Sequence, residues 1–247
     1  MTIRLTSFLF APLMIAAPAL ADDVPYTVEG DAFTGYWAEA DDPKGLVLIV
    51  HDWDGLTDYE RQRADMLADM GYDAFALDVF GDDTPTETVD HRRAATGALY
   101  QDRARMRALL DAGADLALSR SSADRMVVMG YCFGGAAALE MARNGGPEAV
   151  AGYATFHGGL STPEGQGWSG DEPPLLIAHG GADSSITLED VATLGTELEE
   201  AGTTYTIEIY SGAPHAFTVF GSDRYDARAD TESWSAFTAF LDDRVTD

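Results

Sequence analysis

Residues 126–143 constrain the fold more than any other stretch. The run Met-Val-Val-Met at 126–129 passes without a break into Gly130-Tyr131-Cys132-Phe133-Gly134-Gly135. Apolar residues then recur at helical spacing to Arg143, and Asn144-Gly145-Gly146 closes the segment. A short apolar run bounded by glycine reads as a buried strand, and a terminal Gly pair as a helix stop. A strand that becomes a helix within so few residues must turn sharply. The flanking glycines relieve crowding in that turn and project the central side chain above the sheet.

The rest of the chain repeats this alternation. Strands are predicted at residues 45–51, 72–79, 150–156, 175–179 and 204–210, and helices at 57–70, 90–120, 189–201 and 231–241. Strands alternating with helices make βαβ units, so the expected class is a single α/β domain with a mostly parallel central sheet and helices on both faces. A length of 247 residues fits one such domain. Residues 161–174, rich in Gly, Pro and Ser, read as a surface loop. In such sheets reactive groups gather at the carboxyl ends of the strands. His51 and Asp52, Asp78, Cys132, His157, His179 with Asp183, and His215 all fall there.

The first residues read as a leader. A basic start at Arg4, an apolar stretch from residue 5 to 17 and the small-residue site Ala19-Leu20-Ala21 have the layout of a secretory signal. Cleavage near Ala21 is expected, with the domain proper at 22–247 and a periplasmic or secreted location. The stretch is too short and too broken by Pro12 and Pro18 to span a bilayer comfortably, which takes ~20 residues. No later segment is a candidate span, so no membrane association is expected after cleavage. The net charge is −27, and loss of Arg4 leaves 42 acidic and 14 basic residues. That field repels nucleic acid and anionic lipid.

The single cysteine excludes an internal disulfide. Strand, Gly-x-Cys-x-Gly and helix together form a nucleophile elbow with cysteine in place of serine. The following helix directs its N-terminus at the sulfur, which favours thiolate. The N–H of Phe133 is placed as one oxyanion donor. A nucleophile needs a base and the base an orienting acid. Downstream, Asp183 and then His215 supply both, in the chain order nucleophile, acid, histidine.

Six blocks resemble the dienelactone hydrolase family: His51-Asp52-Trp53-Asp54-Gly55-Leu56, Asp78-Val79-Phe80-Gly81, Gly130-Tyr131-Cys132-Phe133-Gly134-Gly135, Phe156-His157-Gly158-Gly159, His179-Gly180-Gly181-Ala182-Asp183 and Pro214-His215-Ala216-Phe217. The resemblance runs from about Gly45 to near the end. It implies an α/β-hydrolase fold and a Cys132-His215-Asp183 triad. It also implies a carboxylate at Asp52 that holds the resting thiol and accepts its proton, and a second oxyanion donor at the N–H of Trp53. The family carries glutamate where this chain has the shorter Asp52. It carries a substrate-binding arginine where this chain has Val219, with Arg92 or Arg93 near the position of a second. Losing one charge-assisted contact worth ~1.5–3 kcal/mol argues against an acidic lactone as substrate.

The expected activity is hydrolysis of small esters or lactones through a Cys132 thioester, by a monomer. His51, Tyr131, His157 and Phe217 are the candidates for shaping the substrate pocket. His179 reads as a strand-end residue satisfied by backbone, and His91 as a surface residue. The histidines lack zinc-site spacing and no phosphate loop follows the first strand, so no metal and no cofactor are expected. Two other readings stay open. One is a silent α/β-hydrolase-fold binding protein; the other is a redox-sensing thiol protein, which would lack a resolving cysteine.

Overall fold

A computed structural model describes residues 20–246. The predicted leader therefore lies outside the described residues, apart from Leu20 and Ala21. In chain order the elements are β1 (Leu20–Val28), β2 (Asp31–Glu39), β3 (Leu46–Val50), α1 (Asp58–Asp69), β4 (Asp73–Leu77), α2 (Val89–Gln101) and α3 (Arg103–Arg120). Then come β5 (Met126–Tyr131), α4 (Phe133–Asn144), β6 (Val150–Phe156), β7 (Leu175–Gly180), α5 (Leu188–Ala201), β8 (Tyr205–Tyr210) and α6 (Ala227–Val245).

The strands form one sheet in the order β1-β2-β4-β3-β5-β6-β7-β8. From β4 to β8 every pairing is parallel. β3, β4 and β5 are buried at every position, as parallel strands covered on both faces must be. Two apolar layers flank the sheet. One packs α3, α4 and α5 through Leu109, Leu110, Leu139 and Leu194. The other packs α1 and α6 through Leu67, Phe237 and Leu241.

Two features depart from the sequence reading. The first is an antiparallel hairpin, β1 with β2, that adds an edge to the sheet beside β4. Its turn is Glu29-Gly30, both at positive φ (53° and 100°), between the paired residues Val28 and Asp31. A two-residue turn with both residues left-handed is the form that matches strand twist. The second is a break in the expected helix over 90–120. Asp102 (φ −115°, ψ 77°) separates α2 from α3, and its side chain caps α3 by accepting the Arg105 N–H at 2.9 Å. Aspartate favours such a cap over a helix interior.

Glu140 of α4 is fully buried and ties three segments together. Arg103 and Arg107 of α3 donate to it at 2.8 and 2.7 Å, Gln166 of the 161–174 loop at 2.8 Å, and Arg143 at 3.4 Å. Burial pushes its carboxyl up, but the Gln166 and Arg107 bonds and the Arg103 and Arg143 charges outweigh it, so the pKa falls below its usual 4.5. A depressed acid stabilises the fold above its ordinary pKa, and that contribution is lost as pH falls through the lowered value. Glu140→Ala leaves three guanidinium groups around an empty carboxylate position. It should cost about 3–5 kcal/mol in urea unfolding at neutral pH. The gap between variant and wild type should narrow on acidification below about pH 4; a gap independent of pH would contradict the assignment.

Candidate active site

Cys132 joins β5 to α4 at φ 47° and ψ −107°, a conformation non-glycine residues rarely adopt. Close packing enforces it. A Cβ on Gly130 would lie 2.1 Å from the Gly134 carbonyl oxygen, one on Gly134 2.1 Å from that of Val50, and one on Gly135 2.2 Å from Thr155 Oγ1. The Cys132 N–H donates to the Phe156 carbonyl at 3.0 Å, locking the turn to the end of β6. The residue keeps a small exposed face.

His215, in the loop after β8, places Nε2 3.1 Å from Cys132 Sγ. Its Nδ1 lies 2.7 Å from Asp183 Oδ2, in the turn after β7. Asp183 Oδ1 accepts the N–H groups of Ser185 and Ile186 at 2.8 and 3.0 Å. Burial raises the Asp183 pKa, but the His215 contact and these N–H donors outweigh it and keep the carboxyl low. An ionised acceptor on Nδ1 fixes the tautomer that turns a lone pair at Nε2 toward the sulfur.

Asp52 follows β3 and approaches the thiol from the other side. Burial, then the neighbouring charges of Asp54 and Glu60, push its pKa to about 7, against pulls from the Trp53 N–H and the Cys132 thiol. The thiol rises well above its usual range, first by burial, then through the charge of Asp52 and the hydrogen bond to it. The Phe133 N–H pulls the other way and loses. The helix N-terminus therefore acts in the expected direction, but burial and the Asp52 carboxylate outweigh it and push the thiol toward its protonated form. The shorter acid reaches the sulfur because the Asp52 N–H is itself anchored, at 3.2 Å, to Glu60 Oε1. Glu60 also completes the capping box of α1 with Thr57.

A family model for the dienelactone hydrolase family matches residues 33–245. The chain belongs to that family. A protein of Escherichia coli (strain K12) named "Putative carboxymethylenebutenolidase" is 29% identical over 228 residues, covering 83% of this chain and 80% of its own. A solved structure described as "m3DLH" is 28% identical with TM-score 0.83, covering 93% of this chain and all of its own. A dienelactone hydrolase-like promiscuous phosphotriesterase from metagenomic libraries is 27% identical with TM-score 0.83, covering 92% of this chain and 99% of its own.

In this dienelactone hydrolase relative the pocket differs from the sequence reading. Tyr131 and Phe217 are fully buried in the layer beneath the sheet and do not line the pocket. Tyr131, the last residue of β5, packs into the layer of α1 and α6, where Phe217, from the turn that carries His215, meets the Tyr210 and His157 rings. His51 is also fully buried. Its Nδ1 donates to the Asp52 carbonyl at 2.6 Å and its Nε2 accepts the Val79 N–H at 3.2 Å, so it braces the Asp52 loop. His157 is buried against His215, with ring centroids 5.2 Å apart. His179 meets the Ile186 carbonyl at 3.1 Å, and His91 is exposed beside Glu87.

A cavity of about 290 Å³ opens beside Asp52 and Ala216, lined also by Trp53, Tyr59, Val219 and Arg224. Arg92 stands at its edge over the Trp53 ring, at 5.7 Å, with Nε donating to the Thr86 carbonyl at 2.7 Å. Arg93 faces solvent beside Asp90. Sequence reasoning missed Tyr100 of α2. Its ring meets Phe133 at 5.5 Å, and burial, then the Cys132 and Asp52 charges, push its hydroxyl to about 12. No motif marks it; it is one aromatic among the helical residues of α2. Among the described residues no group of three or more His, Cys, Asp or Glu could hold a metal, and no helix is long and apolar enough to cross a membrane.

A thiol held protonated by Asp52 should alkylate with iodoacetamide more slowly than free cysteine near pH 7.5, because thiolate is the reactive form. Asp52→Asn removes the charge and should accelerate labelling, read by intact mass. Wild-type labelling as fast as free cysteine would refute the hold.

Proposed function

We propose that this hydrolase cleaves small esters or lactones through a thioester on Cys132. The observation that carries the reading is the hydrogen-bonded line Cys132 Sγ, His215 Nε2, His215 Nδ1, Asp183 Oδ2, at 3.1 and 2.7 Å. It joins a nucleophile, a base and an orienting acid.

At rest Asp52 accepts from the thiol and also from the Trp53 N–H, at 2.5 Å. That N–H is the second oxyanion donor. A substrate carbonyl oxygen entering between the N–H groups of Phe133 and Trp53 displaces the carboxylate from both partners. The thiol proton then passes to His215 Nε2 and the sulfur attacks the carbonyl carbon. The C–S bond forms as the C=O electron pair moves onto oxygen. Routing the proton to His215, and not to Asp52 as the family resemblance implies, leaves an imidazolium that can next protonate the leaving oxygen. Collapse breaks the C–O bond, the leaving alkoxide or enolate takes the His215 proton, and the acyl group stays on sulfur. Water loses a proton to His215 and attacks the thioester. The C–S bond breaks and the proton returns to sulfur. Each oxyanion donor contributes ~2.7–4 kcal/mol to transition-state stabilisation.

The pocket favours neutral substrates. Val219 supplies no cation, Arg92 is engaged by Thr86, and Asp52, Asp54, Glu60 and Asp223 share the lining with a single arginine, Arg224. Its metagenomic relative makes a phosphotriester a useful further probe. We also propose export with cleavage after Ala21 and a monomeric mature form. The pairing of Asp22 with Trp37 would survive that cut, and the intact mass of periplasmic protein would report it.

Short p-nitrophenyl esters and several lactones test the reaction. Cys132→Ala and His215→Ala should lose at least about 10³-fold in kcat; activity equal to wild type in both would overturn the triad. A lactone methyl ester should be cleaved faster than its free carboxylate, and a strong preference for the acid would overturn the charge argument.

A further inference from the structure

His157 is unused by this mechanism, yet it is among the most constrained residues in the molecule. It follows β6 at φ 42°, a strained conformation for a side chain branched into a ring. Its N–H donates to the Ala178 carbonyl at 2.9 Å and its side chain is fully buried. Nε2 lies 2.9 Å from Thr218 Oγ1, and Nδ1 is buried with no hydrogen-bond partner among the described residues. A buried polar atom left unpaired is kept at a cost, which calls for a reason.

The chain of contacts behind Nε2 has a fixed direction. It starts at Arg63, 1% exposed, paired with Asp230 and enclosed by the rings of Phe220, Trp234 and Tyr59 at 4.2, 4.8 and 5.3 Å. A guanidinium can only donate. Arg63 Nε donates to the Tyr59 hydroxyl at 3.3 Å, so that hydroxyl turns its own proton to Thr218 Oγ1, at 2.8 Å. Arg63 Nη2 fixes the Thr218 carbonyl at 3.1 Å. Tyr59 and His157 are the two partners of Thr218 Oγ1, and with Tyr59 donating, His157 Nε2 is the acceptor left for the Thr218 hydroxyl proton. On this assignment the imidazole accepts at Nε2 and carries its own proton on Nδ1.

We propose that His157 is a positioning residue for His215: its ring, locked with Nε2 as acceptor, walls one face of His215 and leaves the positive charge formed in turnover to His215 alone. The proposal rests on the reading of His215 as the proton carrier. The two rings meet edge to face at 67°. The charged and titratable groups around His157 are His215, His179 and Asp183 at the strand ends, Tyr131 of β5 with its ring 6.0 Å away, and Arg63, Tyr59 and Asp230 from α1 and α6. Burial, then His215 and His179, hold its pKa well below the ordinary histidine range against the pull of Asp183. A cation on His157 would oppose the imidazolium 5.2 Å away.

Ring-nitrogen NMR of the wild type reads the tautomer directly, without turnover. His157 should report a neutral ring protonated on Nδ1 from about pH 5.5 to about pH 8, a span that crosses the ordinary histidine pKa. A proton on Nε2, or a charged ring in that window, would overturn the proposal. Thr218→Val keeps the shape and breaks the chain; ester kcat should fall roughly 10- to 100-fold with KM little changed, as for a misplaced base. His157→Phe keeps the wall without the nitrogens and should fall less than His157→Ala, with the thermal midpoint checked for each. Wild-type kcat and pH profile in all three variants would sink the proposal alone. A wild type as inert as His215→Ala would sink the reading of His215 and the proposal together.

Discussion

The Cα of Gly134 sits against the carbonyl oxygens of Val50 and His51, at a distance no side chain could share. This contact seats the first turn of α4 over the end of β3. It brings the Cys132 turn beside the loop that carries Asp52 and Trp53. The positive φ of Cys132 follows from it, since the chain must leave β5 and enter α4 within one residue. The strain is held by neighbours on both sides, Phe156 through its carbonyl and Thr155 through its packing on Gly135. Without that close approach the sulfur would not meet both His215 and Asp52.

Such a site carries two opposing fields. His215 and Asp183 prepare a proton acceptor, while Asp52 and burial keep the proton on sulfur. Burial is the largest influence on both the thiol and Asp52, and it favours the neutral form of each. A protonated thiol reacts slowly with oxidants. Asp52 in turn is held by Glu60, the capping residue of α1, so a local device of helix formation also aims a site carboxylate.

The legible parts of this chain were those written locally. The elbow and the strand-helix alternation are contiguous patterns that the fold reproduces, and the Asp183 and His215 blocks are contiguous patterns whose side chains the structure brings to Cys132. The β1–β2 hairpin was not legible, because β1 opens inside the leader pattern at Leu20-Ala21 and then carries Asp22-Asp23 and Pro25. The Asp102 break was hidden inside a long run of helix formers. Tyr131 and Phe217 were misplaced because motif proximity says nothing about which way alternate side chains point. Tyr100 was missed because its relation to Cys132 is made by packing between α2 and α4, which no spacing along the chain encodes.

The same distinction explains why the substrate is less legible than the chemistry. Nucleophile, base and acid need fixed mutual distances, and these come from strand ends that the sheet holds in register. Substrate contacts come from loops and helix faces that can change one residue at a time. Val219 is such a change: an apolar residue beside the site alters the charge of the cavity without moving Cys132, His215 or Asp183. Arg92 shows the converse. It keeps a cation near the pocket, but the Thr86 carbonyl, the Asp54 carboxylate and the Trp53 ring already engage it. A substrate anion would have to displace those partners, in the field of a chain with a net charge of −27. A neutral molecule meets no such competition, and the Trp53 ring and Val219 offer it a largely apolar surface.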